Sequence, residues 1–143
     1  MTYQYARIDL SKNKDTELVD WQYLYNPDIA QLKYIYKQYC AYKRFVSVMP
    51  MFDSQFTDSN TDVIGYYDNH ELVAFSLIKR YDNKNALCSQ FAWNYHSPKL
   101  QLGMASLRTE CAIYRDRDFK YLYLDQAHLY KQKITGFELL GPL

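Results

Sequence analysis

The sequence is poor in backbone breakers: its 143 residues include only four glycines and four prolines. Collagen-like, linker-like and low-complexity chains need many more, so these classes are excluded. Cysteine is also scarce. Cys40, Cys88 and Cys111 are odd in number, far apart and form no Cys-x-x-Cys pair. That argues against a disulfide framework and against a zinc site built on cysteine, and for buried reduced thiols. No apolar run is long enough for a membrane-spanning helix. Met1 to Leu10 has no apolar stretch of the signal-peptide kind, so a cytoplasmic protein is expected. An excess of one charge is missing too, with 17 Lys and Arg against 16 Asp and Glu. Only a local basic patch is left to serve nucleic acid.

The rest of the composition, 48% apolar and 23% charged, is that of an ordinary globular domain, and residues 1–143 are expected to form one. The unusual abundance is tyrosine, at sixteen residues. An early strand is expected around Tyr5 and Ile8. Asn26-Pro27-Asp28 reads as a helix start, with Asn26 as N-cap and Pro27 at the first helical position. The helix should run through Arg44 with Ile29, Leu32, Tyr36, Tyr39 and Lys43 on one stripe. Met49 to Asp62 reads as loop. Two strands follow, joined by a turn at Asp68 to Glu71, and Asp82 to Asn85 is a second turn. Ala86 to Tyr95 reads as a central strand buried on both faces. After Leu100-Gln101-Leu102-Gly103 a helix to about Arg117 should bury Leu107, Cys111 and Tyr114, and Phe119 to Leu124 is a further strand. The tail is read as a short helix or loop. Strand, helix and strand in this order require a right-handed crossover and a parallel pair, so the fold class is mixed α/β.

The junction from Trp93 to Ser106 carries the chemistry. A glycine at a helix start lets a ligand approach the backbone, and the free N–H groups of the first turn suit an anion. Gly103 stands at that place. The order of elements and this junction resemble the GNAT superfamily of acyltransferases. Its pyrophosphate loop, Gln/Arg-x-x-Gly-x-Gly/Ala, aligns with Leu100-Gln101-Leu102-Gly103-Met104-Ala105. A narrower resemblance, from Gly65 to Pro142, is to the C-terminal domain of arginyl-tRNA–protein transferases and related aminoacyl-tRNA–protein transferases. It rests on Gly65 to Ala74, on Leu102-Gly103 with Ser106 and Glu110, on Lys120 to Leu124, and on Tyr130-Lys131 followed by Glu138-Leu139-Leu140.

These resemblances imply a GNAT-like, mostly antiparallel sheet with a central splayed parallel pair flanked by helices. They imply transfer of an acyl or aminoacyl group to the amine of a protein or peptide. The donor would be aminoacyl-tRNA or, as the alternative, acetyl-CoA, with no metal. Gln101, Leu102, Gly103, Met104, Ala105 and Ser106 would hold the donor. Backbone N–H groups on the splayed strand would stabilise the oxyanion, which puts Phe91, Ala92, Trp93 and Asn94 at the site. Tyr130 would protonate the leaving group, with Tyr123 as the second choice. Glu110 and His96 are candidate bases, Glu110 also a candidate anchor for the amine. Lys33, Lys37 and Arg44, interleaved with rings, and Lys131 in the tail form a candidate surface for a tRNA acceptor end. A reading from a different class is an inactive GNAT-like module that binds an extended peptide at the splay.

Overall fold

A computed structural model describes residues 4–44, 51–94, 102–124 and 129–142. The elements are β1 (Gln4–Asp9), β2 (Asp20–Tyr23), α1 (Ile29–Lys43), α2 (Asp53–Thr57), β3 (Thr61–Asp68), β4 (Glu71–Arg80), β5 (Asn85–Trp93), α3 (Leu102–Asp116), β6 (Tyr121–Leu124) and β7 (Phe137–Pro142). A 3-10 helix, Leu129–Lys133, precedes β7. The strands form one seven-stranded sheet in the order β2-β3-β4-β5-β6-β1-β7. All pairs are antiparallel except β5 with β6, which are parallel and joined through α3. The expected mixed, mostly antiparallel sheet with one central parallel pair is therefore the observed one.

The strands alternate, and each face has its own core. Ile64, Tyr66, Ala74 and Ile78 join Leu107, Cys111 and Tyr114 of α3, and Ala6, Ile8 and Leu122, in one cluster. Val63, Phe75, Leu77 and Ala92 point the other way and pack on Leu32 and Ile35 of α1 and Phe56 of α2. The faces differ in cover: α1 packs on β5 and β4. On β6 and β1 the same face carries Tyr121, Tyr123, Tyr5 and Arg7, in alternation with the buried Leu122, Leu124, Ala6 and Ile8.

Several expectations need correction. The cap of α1 is Asp28, whose carboxylate accepts from the Gln31 N–H at 3.2 Å. Asn26 lies two residues too early to reach that donor, so Pro27 falls outside the helix. The stretch read as loop from Met49 contains α2, which buries Phe56. β5 is central but only half-buried, with Ser89 exposed, because it loses its β6 partner midway. β2 was not foreseen, and the tail holds β7, which pairs with β1. Both are short edge strands, and their apolar alternation is correspondingly brief.

Scarce glycine leaves other residues in left-handed backbone: Arg44 caps α1 at φ 55, and Asn69 and His70 make the β3–β4 turn. Gly136 occupies a place where a side chain would run into backbone. Its φ is +93, and a Cβ there would lie 2.4 Å from the carbonyl oxygen of Asp9. That close approach lets the Gly136 carbonyl accept from the Asp9 N–H at 2.8 Å. Gly136→Ala is expected to cost about 2–3 kcal/mol in urea unfolding, from backbone strain and the lost link between β1 and the turn before β7.

Candidate acyl-transfer site

The ladder between β5 and β6 runs from Asn85↔Tyr121 to Cys88↔Leu124 and stops. At the same point β5 bulges: Leu77 faces Gln90 and Ile78 faces Cys88, so Ser89 is the extra residue. A bulge bends a strand and increases its twist, and here it turns the second half of β5 away from β6. β4 still holds that half, through pairs that continue to Ala74↔Trp93 and through the Asn94 N–H, which donates to the Val73 carbonyl at 2.7 Å. In an antiparallel ladder alternate residues donate inward. The N–H groups of Phe91 and Trp93 therefore point away from β4, into the wedge that opens beside β6. The N–H of Ala92 points back to β4, and its side chain is buried in the α1 cluster. Of the four residues expected on this strand, Ala92 thus presents nothing to the wedge.

Rings line this end of β5. Tyr39 of α1 meets Phe91 and Trp93 edge-on, with centroids 6.3 and 5.4 Å apart, and Tyr42 lies 5.3 Å from Trp93. Lys43, expected on one stripe of α1 with Tyr39, lies over the rings of Tyr39 and Trp93. Just beyond β5, the side-chain oxygen of Asn94 is buried and, among the described residues, accepts no hydrogen bond.

Beneath the wedge lies Glu110, 3% exposed, in the middle of α3. It is not a solvated helix position. Its Oε2 accepts from Tyr66 Oη at 2.5 Å and Ser76 Oγ at 3.0 Å, and its Oε1 from Cys88 Sγ at 3.3 Å. One carboxyl thus links α3 to β3, β4 and the last paired residue of β5. Burial pushes its pKa above the ordinary value, against the three donors and the charge of Lys131, which pull it down. Burial and the adjacent carboxylate push Tyr66 and Cys88 well up, so both keep their protons. Sequence reasoning named Glu110 but missed its partners. The available signal was a lone serine, Ser76, in the apolar run Leu72 to Ile78.

The other expected residues are dispersed. Leu102, Met104, Ala105 and Ser106 form the first turns of α3, and Gly103 faces open space, with no atom within 4 Å of where a Cβ would be. Lys33 is ion-paired with Asp53, while Lys37 and Arg44 are exposed on α1. Lys131 lies on the α3 side, near Glu110, so the four cations do not make one surface. Tyr123 is on the opposite face, where its hydroxyl accepts from Arg7. His96, Gln101 and the side chain of Tyr130 lie outside the described residues. Among the described residues no cluster of His, Cys, Asp and Glu has the makings of a metal site, and no helix is long and apolar enough to cross a membrane.

The fold is shared with solved structures. The C-terminal domain of a protein described as a lysylphosphatidylglycerol synthetase from Agrobacterium fabrum superimposes with a TM-score of 0.67 at 13% identity, over 87% of this chain and 47% of that one. A GCN5-related N-acetyltransferase from Anabaena variabilis gives 0.64 at 4% identity, over 97% and 38%. An aminoglycoside acetyltransferase from an uncultured soil metagenomic sample gives 0.58 at 12% identity, over 80% and 81%. The chain has the GNAT fold. At these identities the likeness is one of fold, and the chain spans about half the length of the synthetase domain. No family model and no curated protein matches the sequence.

Two measurements check this geometry. Glu110 binds its proton more tightly folded than unfolded, so its contribution to stability is fully present below the ordinary carboxylate value of 4.5 and is lost as pH rises through the folded value. Glu110→Gln keeps an acceptor for Tyr66 and Ser76 but cannot ionise. In urea unfolding it should therefore gain on the wild type as pH rises from 4.5 and level off above the folded pKa. At Gly103, alanine meets no neighbour and restores helix propensity, so Gly103→Ala should stabilise by about 0.5–1 kcal/mol.

Proposed function

We propose that the chain is an acyltransferase that moves an acyl or aminoacyl group onto an amine. The observation that carries this reading is the wedge beside β5, toward which the Phe91 and Trp93 N–H groups point, with the buried Asn94 oxygen just beyond the end of the strand. The neutral amine nitrogen attacks the donor carbonyl carbon, and the two N–H groups take the charge that develops on its oxygen. Asn94 accepts a hydrogen bond from the amine or from an amide of the donor. As the carbon–oxygen or carbon–sulfur bond breaks, the amine gives up a proton and the leaving atom gains one. Tyr130, on its sequence spacing, is the proposed proton donor, and His96 the proposed base. Glu110 is a positioning residue in this scheme: sealed by its three donors, it holds Cys88 and Tyr66 under the wedge. The first turn of α3 from Leu102 to Ser106, open at Gly103, faces the donor phosphates.

The sequence resemblance from Gly65 to Pro142 favours an aminoacyl donor, and the acceptor is then a protein or peptide amine. The Gly103-x-Ala105 turn favours acetyl-CoA as a second reading. The test supplies each donor separately with amine-bearing peptides. Turnover with one of them is expected, Asn94→Ala should lower kcat/KM by about 100-fold, and Gly103→Trp should abolish turnover while leaving the fold intact. An acetyl-CoA enzyme should also show a raised Tm with acetyl-CoA alone. Product formation that survives Gly103→Trp would remove the donor from α3. Peptide binding without turnover on either donor would make the chain an inactive binding module.

A further inference from the structure

A second cavity lies on the sheet face turned away from α3, over the paired half of β5 and β6. Its volume is about 380 Å³, within the range of small-ligand pockets. Three tyrosines, Tyr5, Tyr81 and Tyr123, line it together with Leu87, Asp82 and Asn85. The backbone explains why they meet. Leu87 and Tyr123 are register partners in the parallel pair, and Tyr5 lies on the adjoining β1. The β4–β5 turn brings Tyr81 over Tyr123, with centroids 6.5 Å apart and the rings edge to face. Asp82 is fixed in the same turn by the N–H groups of Lys84 and Asn85, at 2.7 and 2.8 Å, and by the Asn85 side chain.

The charge of this lining is of one sign. Asp82 is its only full charge, and no Lys or Arg is among the described residues that line it. The guanidinium of Arg7 donates to the hydroxyl of one lining residue, Tyr123, and is shared with two further partners. It pairs with Glu138 at 3.3 Å and stacks on Tyr121 at 3.8 Å. Ring faces and a carboxylate attract the same kind of guest, a positive charge spread over an apolar body. We propose that this cavity binds a small organic ammonium cation, held between the rings of Tyr5, Tyr81 and Tyr123 and drawn in by Asp82. It is separate from the wedge in the residues that form it, and cation binding requires no acyl donor. The proposal therefore stands or falls apart from the acyl-transfer reading.

Choline and its neutral isostere 3,3-dimethylbutan-1-ol are the probes, titrated into the intact chain by calorimetry with no donor present. Choline should bind with a dissociation constant on the order of a millimolar, and the isostere about tenfold more weakly. Tyr81→Ala, at a half-exposed position, should weaken choline about fivefold and leave the fold unaffected. Asp82→Asn keeps an oxygen for the turn, and it should weaken choline about threefold and remove most of the salt dependence. Equal affinity for choline and the isostere would overturn the proposal. So would the absence of choline binding, or choline binding that is unchanged in both variants.

Discussion

Glu110 sits in the apolar layer beneath α3, and the three side chains that donate to it make that burial tolerable. A carboxylate taken out of water without partners costs several kcal/mol, so Tyr66, Ser76 and Cys88 cannot be varied independently. They come from β3, β4 and β5, which means that the height of α3 over the sheet is set by hydrogen-bond lengths as well as by packing. Cys88 is also where the β5–β6 ladder ends. The half of β5 that is paired is therefore clamped from below, and the half beyond Ser89 leaves β6 from a fixed point.

The two faces of the sheet divide the work. The α3 face is filled by one continuous core that includes β1 and β6. Its C-terminal end is tied down by Asp62, which accepts from Tyr114 at 2.6 Å and Arg117 at 2.8 Å and pairs with Arg80. On the face of α1, the described helices cover β3, β4 and β5. Tyrosine suits the rest of it, since a ring can pack on a pleated surface while its hydroxyl stays wet. Five of the sixteen tyrosines fall in two such groups: Tyr5, Tyr121 and Tyr123 on this face of the sheet, and Tyr39 and Tyr42 in the ring cluster around Trp93.

The strand–helix–strand crossover was legible because its periods are long: β4 is an apolar run, and α3 repeats Leu107, Cys111 and Tyr114 on one stripe. The order of those elements sufficed to place the parallel pair. Short segments carried too little signal. β2 has four residues, and β7 ends in Gly-Pro, so neither offers enough alternation to be read. Nor does local sequence say which residues meet across the sheet. Glu110 and Ser76 are 34 positions apart, and only the register of three strands shows that they touch. The basic residues failed as a group for the same reason: Lys33 and Lys131 are equally charged in the sequence but belong to opposite faces.

The place of β1 has a kinetic side. This first strand of the sheet lies between β6 and β7, the last two, and Arg7 reaches Tyr123 across 116 positions and Glu138 across 131. Its neighbours therefore emerge from the ribosome only when synthesis of this stretch is nearly over. Until then Ala6 and Ile8 have no partners, while the β3–β4–β5 meander can already form from local pairings. Closing so large a loop is slow, because its entropy is lost before any contact compensates for it. The sheet should therefore form in two phases, with the meander first and the β6–β1–β7 ribbon last. In the interval Ala6 and Ile8, buried in the finished sheet, stay open to solvent.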